Sequence, residues 1–198
     1  MSRLAIVLVA IAPAIAPAIA RADDPAPPDV ADREIGAVVG VASGSRVTPG
    51  GLRIGGHFLY QLDDEDWFDG AVGFTFGGGT AACFRDRSDV YVCDHGLADG
   101  FAADLGGGVR RFFAGQGGFR PYARLAASLR ILRFGADDVG GFGIPLAAGA
   151  GVRVRVSDDV AVGGEATLEL GPAWLGHGLG AEFEHGFAIG ALCEITLP

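Results

Sequence analysis

The side chains best placed to do chemistry in this chain are charges that recur at even spacing inside apolar runs. Arg153 and Arg155 stand in GVRVRVSDD, and Glu165 and Glu169 in GGEATLEL. Arg124 and Arg130 stand in YARLAASLR, and Asp104 in GFAADLGGG. A spacing of two, four or six puts residues on one face of a β-strand. Guanidiniums and carboxylates gathered on such faces either plug a space with ion pairs or line a narrow polar path.

A second group, His177, Glu182, Glu184 and His185, carries atoms able to hold a metal at a loop rim, but reads more readily as solvated loop residues. Cys83 and Cys93 bracket the polar segment CFRDRSDVYVC, where a disulfide would close the loop in an oxidising compartment. No CxxC pair or Cys/His array has zinc spacing, and Cys193 reads as a small apolar residue of the last strand. GxSxG, HExxH and the phosphate-binding loop are absent, and the glycines form no GxGxxG ahead of a helix. The expectation is a protein that is not an enzyme, with no cofactor and no bound metal.

The charged faces need strands to carry them, and the sequence supplies alternation throughout. In residues 160–170, Val160, Val162, Ala166, Leu168 and Leu170 oppose Glu165, Thr167 and Glu169. In 146–156, Leu146, Val152, Val154 and Val156 oppose Arg153 and Arg155. If Ser157 to Asp159 form the turn, Val156 meets Val160 and Arg153 lies diagonal to Glu165. Likewise Leu125, Leu129 and Ile131 oppose Arg120, Tyr122, Arg124 and Arg130, and pairing Phe113 with Phe119 places Asp104 diagonal to Arg130. Arg53, His57 and Gln61 oppose Leu52, Ile54, Phe58 and Tyr60. Arg111, Arg133 and His185 fall on the apolar face, all near strand ends, where a membrane barrel tolerates charge.

Eight such segments are read, at about 35–46, 51–62, 67–77, 98–113, 118–134, 143–156, 160–171 and 183–197, with no convincing helical period. The second, fourth and sixth connections are short, whereas 78–97 and 171–182 are long. Short turns on one rim and long loops on the other is the layout of an outer-membrane barrel. The inner face is sparse, rich in Gly and Ala with a few opposed charges, which suits a narrow lumen filled by side chains. The apolar face then meets lipid.

The start of the chain fits export. Arg3, the apolar stretch Leu4 to Ala20 and small residues before Asp23 have the layout of a signal peptide over 1–22, followed by a Pro- and Asp-rich linker at 23–34 and a barrel domain at 35–198. Glycine accounts for 34 of 198 residues, yet 49% of the chain is hydrophobic, which argues against disorder. A net charge of -9 argues against nucleic acid as a partner. All 15 basic residues are arginine.

The fold expected is all-β: an eight-stranded antiparallel up-and-down transmembrane β-barrel preceded by signal peptide and short linker. Two other readings compete with a plugged membrane barrel: a soluble periplasmic barrel holding an apolar ligand on an inward Val and Leu face, and a narrow passive channel for small solutes.

Three segments, FRPYARLAASLR (119–130), GAGVRVRVSDDVAVGGEATL (149–168) and GFAIGALCEITL (186–197), carry a family likeness in sequence order. The chain resembles the small eight-stranded outer-membrane β-barrel family, the OmpA-, OmpX- and OmpW-like proteins of Gram-negative bacteria. The resemblance implies an integral outer-membrane protein, monomeric, in contact with outer-membrane lipid, with a structural, adhesive or small-molecule passage role. An extracellular partner would meet loops 78–97 and 171–182. The family's strands end on an aromatic residue, whereas this chain ends Thr196, Leu197, Pro198; no peptidoglycan-binding domain is expected after the barrel. Outer-membrane lipid hydrolases of similar size use a His and Ser pair, and His185 has no such serine beside it in the last strand.

Overall fold

Alternation of unlike residues becomes a closed wall when every strand finds two neighbours. The computed structural model describes residues 32–85, 91–94, 96–115 and 118–197; the expected signal peptide and nearly all of the expected linker lie outside them. The strands are β1 (Arg33–Ser43), β2 (Gly51–Gln61), β3 (Asp66–Phe76), β4 (Ala82–Arg85), β5 (Tyr91–Asp94), β6 (Gly100–Phe112), β7 (Phe119–Phe134), β8 (Val139–Gly143), β9 (Leu146–Arg155), β10 (Val160–Leu175) and β11 (Gly180–Leu197). Each pairs antiparallel with the next around a ring, and β1 returns to β11 through the register Arg33↔Leu197 to Ser43↔Phe187. β8 and β9 are one wall strand interrupted at Ile144 and Pro145, since both pair with β7 on one side and β10 on the other. The result is an eight-stranded antiparallel barrel, with β4 and β5 forming a separate hairpin in the connection between β3 and β6.

The pleat sorts the side chains as the alternation requires. Leu105, Ile131, Leu146 and Ile189 are outward and more than half exposed. Glu34, Asp69, Arg110, Arg130, Arg153, Glu184 and Glu194 are inward and buried. A soluble barrel would invert this arrangement, because water would select the polar face for the outside. Among the described residues the strand faces read as the Val and Leu lining of an apolar ligand point outward, which corrects that reading. A closed ring also leaves no unpaired edge, the condition lipid imposes on strands.

Several local expectations shift. The segment 171–182, read as a loop from its Gly and Pro content, is mostly strand: Ala173 pairs with both Gly143 and Glu182, and Trp174 with Phe142 and Ala181. Ladder bonds on both sides outweigh weak local propensity. Only Gly176 to Leu179 turn, with left-handed φ at His177, Gly178 and Gly180 (54°, 83° and 71°). Strand β1 begins at Arg33, so Glu34 belongs to the barrel and not to the linker. Val156 N–H donates to the Val160 carbonyl as expected (2.9 Å), but Phe113 N–H bonds Pro121, not Phe119 (2.9 Å). That two-residue shift moves Asp104 from diagonal to directly opposite Arg130.

The loop end is stitched by its own backbone. Gly50 N–H donates to Gly78 O (2.9 Å), Thr80 N–H to Ser45 O (2.9 Å) and Leu97 N–H to Arg46 O (3.1 Å). These bonds hold the first connection against both ends of the third. Between these anchored ends β4 and β5 pair, with Cys83 and Cys93 as direct register partners and Cys93 disulfide-bonded. Cys193 carries a free thiol, exposed on the outer face of β11.

Candidate functional site

The lumen is where the charged residues meet, and it is built in layers. At the end of the short turns, Glu194 takes His57 Nε2 at 2.9 Å, Arg110 at 2.5 Å and Arg153 at 3.0 Å. Arg153 also bonds Glu34, and Arg110 bonds Asp69 at 2.8 Å. Arg124 lies 3.0 Å from Asp69 and 3.5 Å from Glu165, whose carboxylate also accepts from the Tyr122 and Thr167 hydroxyls, each at 2.9 Å. Each of the eight wall strands thus contributes at least one side chain to this layer.

Nearer the loop end, Arg130 serves three carboxylates: Asp104 at 2.6 Å, Glu169 at 2.5 Å and Glu184 at 3.1 Å. Arg53 adds a second cation to Glu169 at 2.5 Å. A buried carboxylate without such partners would be very costly, so the two layers stand only as complete sets.

Apolar side chains close both ends. Leu59, Trp67, Phe112, Tyr122 and Leu192 pack at the turn end. There Arg153 sits 4.2 Å from the Phe112 ring centre and Arg110 4.5 Å from that of Tyr122, so the cations bind ring faces as well as carboxylates. At the loop end Val47, Leu132, Phe134, Val139 and Leu175 form a second plug, with Leu97 and Leu179 packed against it. Between the charge layers lies a chamber of about 80 Å³, bordered by Arg53, His57, Arg124 and small residues such as Ala71, Ala126 and Ser128.

The abundance of glycine now has a spatial cause. A Cβ on Gly36 would sit 2.2 Å from His57 Nε2, one on Gly143 2.3 Å from Glu184 Oε1, and one on Gly151 2.4 Å from Tyr122 Cζ. Each of these three glycines leaves room for a large inward side chain.

The residues expected in the lumen are distributed over both layers. Asp104, Arg130 and Glu169 come together, as do Arg124 and Glu165. Arg153 does not take Glu165: although the two are diagonal in register, Arg153 points to Glu34 and Glu194 instead. Arg155 lies at the rim, half-exposed, reaching Glu34 at 3.5 Å and the Asp158 carbonyl at 2.9 Å. Glu34, Asp69, Arg110, Glu184 and Glu194 were not in the expected set. The parity of the strand was enough to find Glu194, which shares a face with Leu192 and Gly190, but one acid in ALCEITL has no partner visible along the chain.

The four rim residues do not converge. Glu182 bonds Arg46, Glu184 is buried against Arg130, His185 points outward, and His177 lies 3.9 Å from Asp138. Among the described residues no group of three His, Cys, Asp or Glu side chains is placed to hold a metal ion.

The geometry sets the expected effect of Glu165→Gln. Arg124 keeps Asp69, and the amide oxygen still accepts from Tyr122, so the barrel should lose only about 1 kcal/mol, the scale of one ordinary hydrogen bond. Thermal unfolding followed by the band shift of the folded barrel on gels measures it. A loss of several kcal/mol would show that Arg124 depends on Glu165 alone.

No family profile and no curated protein matches the chain. Solved structures do. The crystal structure of Neisserial surface protein A is similar at a TM-score of 0.55 and 15% identity, covering 83% of this chain and 96% of that one. Ail, the attachment invasion locus protein of Yersinia pestis, aligns at a TM-score of 0.40 and 14% identity over 83% of this chain and 97% of its own. The N-terminal β-barrel domain of Pseudomonas aeruginosa OprF aligns at 0.42 and 16%, over 82% and 98%. The Neisserial protein carries the comparison. Its fold and the outward apolar wall agree: this chain has the fold of the small eight-stranded outer-membrane β-barrels.

Proposed function

We propose that this protein is an integral outer-membrane barrel, monomeric and not catalytic, that serves as a rigid stand for its loop end. The contact for an extracellular partner is the segment 78–97, built as a hairpin closed by a Cys83 to Cys93 disulfide. The segment 171–182 contributes only its short turn. The observation that carries this reading is the lumen, occupied by two ion-pair layers between two apolar plugs. Such filling exchanges permeability for stiffness. The stitched base beneath the hairpin supports the same reading, because it holds the hairpin's two ends in fixed positions.

The test separates this reading from passage of solutes. The folded protein should be recovered with membranes, require detergent for release, and remain silent in planar bilayers under applied voltage. Steady openings abolished by Arg130→Ala or Glu169→Ala would overturn the plugged stand in favour of a conductor. Recovery in the soluble periplasm would overturn membrane residence itself.

A further inference from the structure

Proline has no N–H to give a ladder, and within sheets it is ordinarily confined to edges and bulges. This barrel has no edge, yet Pro121, Pro145 and Pro172 all lie in one stretch of wall, β7 to β10. Two of them act at the same height. Ser128 N–H donates to Pro145 O (3.1 Å), and the return bond to Ser128 O is missing because Pro145 has no hydrogen. One residue away, Ile144 N–H donates to Pro172 O (3.0 Å), and its return bond is missing for the same reason. The dipeptide Ile144–Pro145 is thus held by half the bonds on both flanks, at the point where β8 and β9 part.

What lies on either side gives the break its meaning. Outside are Leu129, Ile144, Leu146 and Leu170, all exposed apolar side chains. Inside, Ser128 and Ala147 border the central chamber. Apolar plugs stand across the barrel axis on either side of the chamber, and the thinned stretch of wall lies directly beside it. A wall element short of hydrogen bonds and backed by a cavity has fewer bonds to break on local opening than a fully laddered strand.

We propose that the wall opens at Ile144–Pro145 as a lateral port, joining the chamber to the flanking membrane. A route through hydrocarbon rejects ions, and the chamber limits size, so the class admitted is small, uncharged and membrane-soluble. This rests on the reading of a membrane barrel closed at both ends. Opening needs no large motion: breaking the bonds from Ser128 and Ile144 frees the dipeptide from both neighbours.

The experiment uses the full barrel in liposomes with Cys193→Ser as background, so that Ser128→Cys is the one reduced thiol. N-ethylmaleimide, neutral and membrane-permeant, should modify Ser128→Cys, and a sulfonated maleimide should not. Restoring the donors with Pro145→Ala and Pro172→Ala should slow the reaction at least tenfold. Amide exchange of the wild-type chain gives a measurement free of new cysteines: Ser128 and Ile144 should exchange at least tenfold faster than mid-strand amides of β1 and β2. A thiol unreactive to both reagents, a rate indifferent to the proline replacements, or uniform protection around the ring each overturns the port. Reaction with both reagents at equal rate overturns instead the closed lumen, since a charged molecule would then be arriving along the axis.

Discussion

Arg130→Met lowers the stability of the folded barrel by about 3–5 kcal/mol, the range for removing one partner of a buried ion pair. The reason is the number of carboxylates left behind. Asp104, Glu169 and Glu184 all accept from Arg130, and each is buried. Arg53 can still serve Glu169. Among the described residues Asp104 and Glu184 have no second cation in the layer. The loss should be read as a lower transition temperature in the gel-shift assay and a lower denaturant midpoint in detergent micelles. Combining Arg130→Met with Asp104→Asn and Glu184→Gln should recover a large part of it, since the stranded charges are then gone. If the triple variant is no more stable than Arg130→Met, the loss comes from packing of the long side chain and not from uncompensated charge.

Glu194→Gln has a comparable effect from the opposite sign. Here one carboxylate serves His57, Arg110 and Arg153, and an amide keeps an acceptor but loses the charge. Arg110 retains Asp69, and Arg153 retains Glu34. The cations also remain over the rings of Tyr122 and Phe112. The expected loss is about 3 kcal/mol, the lower end of the range for breaking a buried pair. It should exceed that of Glu165→Gln by a clear margin. Equal losses from the two variants would mean that the turn-end layer shares charge diffusely and has no centre at Glu194.

The fold was readable because a barrel wall obeys a period of two from rim to rim. Val162, Leu168 and Leu170 are outward and Glu165, Thr167 and Glu169 inward, as their parity requires. Partners inside the lumen were harder to read. Asp104 and Arg130 meet along the ladder, but others face one another across the barrel, so Arg153 skips its diagonal neighbour Glu165 for Glu34 and Glu194, from β1 and β11. Adjacent strands can be aligned from turn lengths, but which side chain fills which part of the interior depends on all eight strands at once. Glu34 was lost differently, because the linker's Pro and Asp composition masks the first residues of β1. The strand content of 171–182 was lost because Gly and Pro are weak local signals that paired neighbours override.

The pairing of remote strands also governs the order in which this molecule can be built. Arg153 meets Glu34 at a separation of 119 residues, and His57 meets Glu194 at 137. No single hairpin contains either set. A partly zipped sheet therefore carries carboxylates and guanidiniums without their partners, and in hydrocarbon every such intermediate is penalised. Closure of β1 on β11 therefore completes the charge pairs of Glu34 and Glu194 in the same step that completes the backbone ladder.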